Sequence, residues 1–499
     1  MSGDGPHDTI TGQALDTALA EQVAHGLVDR SHEAALLVLA LLSGEHALLV
    51  GASGMGKTLL ARRLAACVHG ARIVEHTLDA SSLVEDVLGP LSWPAVEAGR
   101  HERLLAGHAA DAELVVLDEV HTASGAVLDA LRSLLDDRRV RVGARVLEAP
   151  LVLAIGTMRE PVDTASALME RFLFTIPCEP VASIEALLDA RSASAVVTGA
   201  AQRVTTVRLA SLRERAEGVE LGLATRVVLV GLADALARAS IIVSNGRWQR
   251  IARAVRIQAV SRGRDRTTLA DLWFLPNAVV PDARALAAAS EAVVVAARSL
   301  TEGEPARLAA QAGALTEAVT AALRATELAT NATGAALFLD EEGAETTLHA
   351  RTRHLVDGQG RPLYHPPHEL GSRIRKLTFE DLWELHFQRL PGGMARLKAY
   401  VSSPTNQILE EAPREPVRRP KRHAKAVIEG FLATAAELER EIAALARALF
   451  DERPEDATAS AVLGLTRKDF DDAIGALHAS LAEIERVREA IARLPRSDP

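Results

Sequence analysis

At 499 residues the chain is too long for one compact core, and its length sets a prior of about three domains. It is 48% hydrophobic and 24% charged, an ordinary globular balance, but only 3% aromatic, so its cores must be built from Ala, Leu and Val. A formal charge of −10 argues against a surface that coats nucleic acid, and two cysteines, Cys67 and Cys178, are too few for a disulfide framework or a zinc site.

Residues 1–11 are polar and acidic, without the basic-then-apolar pattern of a signal segment. The longest apolar run, residues 34–42, is far short of a membrane span, so a soluble cytoplasmic protein is expected. From residue 10 to about 180, strand-like and helix-like segments alternate, which predicts a parallel sheet covered by helices. The candidate strands are 47–50, 73–76, 114–117, 151–155 and 172–177.

The first strand runs into Gly51-Ala52-Ser53-Gly54-Met55-Gly56-Lys57-Thr58, which fits GxxxxGK[ST] at every required position and is followed by a helical run over 59–68. Glycines let successive N–H groups turn inward around phosphates; Lys57 would neutralise the β/γ oxygens and Thr58 would hold Mg²⁺. Leu114-Val115-Val116-Leu117 then leads directly into Asp118-Glu119. Four consecutive apolar residues suggest a strand buried on both faces, and acids at its carboxyl end lie where open α/β sheets bind ligands. Asp118 would hold the metal's water shell and Glu119 would polarise an attacking water, so the two motifs together point to ATP hydrolysis with Mg²⁺. Residues 139–147, Arg-Val-Arg-Val-Gly-Ala-Arg-Val-Leu, alternate about a glycine and predict a β-hairpin.

Beyond residue 184 the pattern is helical, with apolar spacing over 223–239 and 247–259, where Ser244 or Asn245 is placed to cap the second segment. A long amphipathic stretch over 281–330 is broken only near Gly303–Pro305. Residues 331–420 then hold most of the Gly and Pro of the C-terminal half, with turns at Asp357-Gly358 and Pro391-Gly392-Gly393. This stretch reads as a small β-rich module, followed by a basic linker over 413–422. Helical periodicity returns over 423–450 and 467–494.

The phosphate loop, the Leu-Asp-Glu strand end, the hairpin and Glu170-Arg171-Phe172 together resemble an AAA+ ATPase of the MoxR family. The run Gly26-Leu27-Val28-Asp29-Arg30-Ser31-His32-Glu33, with Gly89-Pro90-Leu91-Ser92 and Ser244-Asn245-Gly246-Arg247-Trp248, resembles its RavA branch. The resemblance spans roughly residues 20–275. It implies that Arg171 is an arginine finger offered to a neighbour's γ-phosphate, worth on the order of 10³-fold or more in rate. It implies that Arg247 is the sensor arginine of a helical lid, contacting nucleotide, and that residues 78–99 form a helix-2 insert. The sensor position after the fourth strand, commonly Asn, is Thr157 here, whose hydroxyl has less reach than an amide.

The expected fold is therefore a P-loop AAA+ α/β core over 1–185, a helical lid over 186–276, and a helical stalk over 277–330 and 423–499 that carries an inserted β-rich module over 331–422. The expected function is an ATP-hydrolysing homo-oligomeric ring, hexameric by resemblance, that remodels partner proteins, engages a client through 331–422, and works with a von Willebrand-type domain protein. Two alternatives stand beside it: a nucleotide-gated assembly scaffold with slow turnover, and a nucleic-acid-acting NTPase, against which the acidic charge and few aromatics weigh.

Overall fold

Four short apolar runs and one mixed, partly exposed run become the strands of one parallel sheet: β1 (His46–Val50), the mixed β2 (Ile73–Thr77), β3 (Leu114–Asp118), β4 (Leu153–Met158) and β5 (Phe172–Pro177). This computed structural model describes residues 15–142, 145–160, 166–189, 203–371, 373–453 and 463–497. The strand order is β2-β3-β4-β1-β5, every pairing parallel, so all carboxyl ends open on one edge. Every residue of β1 and β4 is buried, as expected of central strands with both faces covered.

The fourth strand differs from the sequence expectation of 151–155. Val152 and Leu153 both donate their N–H groups to Glu113 O, at 2.8 and 3.2 Å, and regular pairing begins only at Leu153. The strand then runs on to Met158, which places Thr157 inside the sheet, fully buried. His46, at the start of β1, is also buried. Its Nδ1 accepts the Ala154 N–H at 3.1 Å, so its Nε2–H donates to Leu135 O at 3.1 Å. Burial and the nearby Arg138 push its pKa down to about 3, which keeps the ring neutral in this role.

Helix α1 (Leu15–Ala24), α2 (Ser31–Ser43), α3 (Lys57–Ala66) and α4 (Gly125–Asp137) cover the sheet. The apolar run that is too short to cross a membrane is the body of α2, a helix buried almost all round. No helix among the described residues is long and apolar enough for a membrane crossing. After α4, Arg139–Val142 pairs antiparallel with Arg145–Glu148. Val140 and Val142 are buried while Arg139 and Arg141 are exposed, the period-two division the sequence carried, but on the second strand Val146 is exposed like its neighbour Arg145; Gly143 and Ala144 lie outside the described residues.

Helices α5 (Thr206–Glu217), α6 (Leu223–Arg238) and α7 (Asn245–Ser261) follow, with Ser244 as the cap of α7, its Oγ accepting the Arg247 N–H at 3.2 Å. Helix α8 (Leu286–Arg298) packs on α6, where a Cβ on Gly231 would lie 2.5 Å from Ser299 Oγ. A π turn, Ser299–Gly303, joins α8 to α9 (Glu304–Arg324).

The chain divides into two compact units, Met1–Gln311 with Leu438–Ala482, and Ala312–Glu437 with Glu483–Pro499. The second unit contains antiparallel strand pairs of two to five residues, among them Thr326–Leu328 with Arg418–Pro420 and Ala350–His354 with Leu409–Pro413. It also holds α10 (Gly393–Ser402) and a small core of Leu377, Leu382, Phe387 and Leu397. Helices α11 (Lys425–Asp451) and α12 (Arg467–Ala492) contribute residues to both units.

Candidate nucleotide site

The loop Gly51–Gly56 leaves the carboxyl end of β1 and delivers the chain to the first residue of α3, Lys57. Gly54 and Gly56 have φ of +84° and +83°, backbone that side-chain-bearing residues rarely adopt. Gly51 has a different constraint: its N–H donates to Met158 O at 3.1 Å, and an added Cβ would lie 2.3 Å from Cys178 O. Lys57 is 5% exposed and its ammonium donates to Gly51 O and Ala52 O, at 2.7 and 2.9 Å. The amino terminus of α3 thus offers unpaired N–H groups and a cation at one point, the chemistry that binds a polyphosphate.

Asp118 ends β3 beside this loop. Its Oδ1 accepts the Thr58 hydroxyl at 3.2 Å and also the Thr157 hydroxyl, while Thr157 Oγ1 accepts the Glu119 N–H at 3.1 Å. One hydroxyl on β4 therefore connects the two acids. Glu119 has φ +57° and ψ +44°, left-handed backbone held by a non-glycine residue. Its carboxylate lies 3.3 Å from Arg159 Nε and 3.4 Å from His121 Nε2.

The donor set fits Mg²⁺. Thr58 and Asp118 supply hard oxygens in contact with one another, and this ion is commonly held by one or two protein oxygens plus waters and substrate phosphates.

Arg171 and Arg247 lie elsewhere. Both are at the amino end of β5, whose first residue pairs with His46, the first residue of β1. A five-residue strand spans roughly 16 Å, so neither reaches the phosphate loop of its own chain. Arg171 pairs with Asp136 at 2.8 Å, rather than with its neighbour Glu170, and donates to Ala167 O at 2.6 Å. Arg247 is 1% exposed and donates to Ala278 O, Phe172 O and Leu173 O at 2.7, 3.3 and 2.8 Å, with Glu170 at 3.6 Å. The resemblance implied a nucleotide contact for Arg247. The structure places it as a buried strut between α7 and β5, because three backbone carbonyls occupy its guanidinium.

Sequence reasoning missed three arginines that position the site. Arg30 donates to Met55 O of the phosphate loop at 3.3 Å and to Glu179 O at 2.6 Å. Arg159 faces Glu119. Arg250 donates to Glu170 O and Arg171 O, at 3.0 and 3.2 Å, and so holds the backbone at Arg171. Only Arg30 had a signal, as part of the 26–33 run.

Residues 13–214 match the family described as the MoxR domain in the MoxR-vWA-beta-propeller ternary systems. Two uncharacterised proteins of Methanocaldococcus jannaschii are similar. One is 25% identical over 265 residues, 52% of this chain and 68% of that protein; the other is 27% identical over 172 residues, 34% and 46% respectively. Among solved structures, a Cytophaga hutchinsonii protein proposed to be an ATPase aligns with a TM-score of 0.44 and 19% identity, covering 54% of this chain and 88% of that one.

Proposed function

We propose that this chain, whose residues 13–214 carry a MoxR-type AAA+ domain, hydrolyses ATP to ADP and phosphate in a ring of like subunits. The observation that carries the reading is the junction of Thr58, Asp118, Thr157 and Glu119 beside a phosphate loop of the required sequence. Mg²⁺, when bound through Thr58 and Asp118, neutralises charge on the transferring phosphoryl group. Lys57 and the N–H groups of residues 51–58 bind and orient the phosphates. The Glu119 carboxylate takes a proton from water, whose oxygen attacks the γ-phosphorus as the bond to the ADP oxygen breaks.

Arg171 lies about a strand's length from its own loop, so its role in hydrolysis is toward a second subunit. Arg250 and Arg247 hold the backbone on either side of it, which couples helix α7 to the finger. A ring of six and the RavA branch follow from the resemblance over residues 20–275. The description of the matched family supports a von Willebrand-type partner protein, and residues 331–422 are the surface proposed for a client.

A second reading, a nucleotide-gated scaffold with slow turnover, is favoured by one feature. The Glu119 carboxylate already contacts Arg159 at 3.3 Å and His121 at 3.4 Å, so it must leave these partners before it can face an attacking water. Mixing separates the two. Glu119→Gln and Arg171→Ala proteins each bind ATP and turn over slowly or not at all alone; combined, they recover activity at interfaces that pair intact Glu119 with intact Arg171. No recovery in subunits shown to co-assemble would remove the shared site.

A further inference from the structure

At the amino ends of the strands, away from the phosphate loop, a cavity of about 570 Å³ is lined by Arg138, Arg213, Arg253 and Arg256, with Gln249 and Glu217. Two of these arginines have an evident structural task. Arg213 donates through Nε and Nη2 to Leu42 O and Leu41 O, at 3.0 and 2.7 Å, and Arg138 through Nη2 to Gly44 O at 2.7 Å and through Nε to Leu151 O at 2.8 Å. Three of these four carbonyls, Leu41, Leu42 and Gly44, lie at the carboxyl end of α2. Capping uses one edge of each guanidinium and leaves Nη1 without a partner among the described residues. Arg256 uses only Nε, on Val219 O at 3.1 Å, and Arg253 uses Nη1, on Glu45 Oε1 at 3.0 Å.

Capping alone does not require four cations around one space. Arg253 and Arg256 are three residues apart on α7 and Gln249 is four before Arg253, so one helical stripe brings all three to the same wall. The only carboxylate on the lining is the exposed Glu217, and buried Glu45 is shared by Arg253 and Arg250. Burial pushes the Arg213 pKa down to about 10, with repulsion from Arg138 and Arg253 in the same direction and attraction to Glu45 against it, so one buried carboxylate serves the four guanidinium groups of the lining.

We propose that this cavity is a second anion site, distinct from the phosphate loop, that takes a small polyanion bearing two or more phosphoryl groups. Guanidinium groups with free N–H donors match phosphoryl oxygens in geometry and charge, and the volume suits a ligand larger than a single phosphate. Gln249 adds a neutral donor on the same wall. The site does not depend on hydrolysis, and its test does not read it.

The full-length chain carrying Lys57→Ala, which weakens the phosphate loop as an anion site, is titrated calorimetrically with pyrophosphate and, separately, with ADP at fixed ionic strength. Saturable binding of pyrophosphate is expected, and adding Arg253→Gln with Arg256→Gln weakens it tenfold or more. ADP binding that is tighter than pyrophosphate and is lost with the wall substitutions would identify a nucleotide as the source of the phosphates; ADP binding that is equal or weaker, or that survives those substitutions, a free polyphosphate. Should the double substitution disturb the fold by circular dichroism, Gln249→Glu places a carboxylate on the wall without removing a cation, and the same loss is expected. Absence of saturable pyrophosphate binding, or affinity unchanged in the folded wall variants, overturns the assignment.

Discussion

The Thr157 hydroxyl joins two elements of the candidate site: it donates to Asp118 and accepts the N–H of Glu119. An asparagine at this position would reach further toward a phosphate; threonine instead ties the acids to each other. Replacing it with valine keeps the shape and removes both bonds, leaving the half-buried N–H of Glu119, the residue with left-handed backbone, without its partner. Thr157→Val is expected to cost about 1–3 kcal/mol of stability and to lower ATP turnover roughly tenfold or more, with little change in nucleotide affinity. Chemical denaturation and steady-state kinetics check the two parts separately; unchanged turnover in the folded variant would reduce Thr157 to a packing residue. The residues of both motifs were legible in the sequence because loop chemistry and strand ends are local in the chain. Arg159 and Arg250 were not, and Arg30 showed only as a member of the 26–33 run, without its contacts. Arg30 is bound to carbonyls 25 and 149 residues away, and a carbonyl has no sequence signature.

At the scale of elements, Glu452, just past the end of α11, ties it to the first residue of the 3₁₀ turn Leu269–Leu272, accepting the Leu269 N–H at 2.9 Å. Burial raises its pKa to about 7, opposed by the Leu269 hydrogen bond and Arg264, with Asp271 and Asp451 adding to the rise. A carboxyl whose folded pKa exceeds its unfolded value stabilises the fold in its protonated form. That contribution is complete below the unfolded pKa and is lost as pH rises through about 7. Glu452→Gln keeps an acceptor for Leu269 and removes the charge. The variant should therefore gain on the order of 1–3 kcal/mol over the parent at pH 8, with the gain vanishing toward pH 4. Denaturation series at the two pH values measure it, and a gain that does not depend on pH would rule out this group. Such a tie could not be read from sequence, since the helical period identifies α11 but not its neighbour 183 residues away. The same limit explains β4: its apolar run was visible, while its start was fixed by the carbonyl of Glu113, the residue that precedes β3.

At the scale of the molecule, the second unit contains a natural excision point. Thr326–Leu328 and Arg418–Pro420 pair antiparallel, with Leu328 opposite Arg418, and Ala329 N–H continues the ladder to Val417 O at 2.9 Å. Everything between them, including the small core of Leu377, Leu382, Phe387 and Leu397, leaves and returns through this one pair. The sequence had announced a change of texture at Asn331, from Ala- and Leu-rich helix to Gly, Pro and short apolar runs, but not the strand pair, because three exposed residues such as Thr326-Glu327-Leu328 carry no alternation to detect. A two-residue Asn-Gly turn in place of residues 330–416 would close the pair as a hairpin, since paired ends that lie side by side need only a short connection. The shortened protein is expected to keep its ATP turnover within about twofold and the melting transition of the nucleotide-binding unit, while losing capture of any client that uses residues 331–422. Turnover and melting measured on purified protein decide it: loss of either would make the inserted residues a working part of the motor and end their proposed role as a separable docking surface.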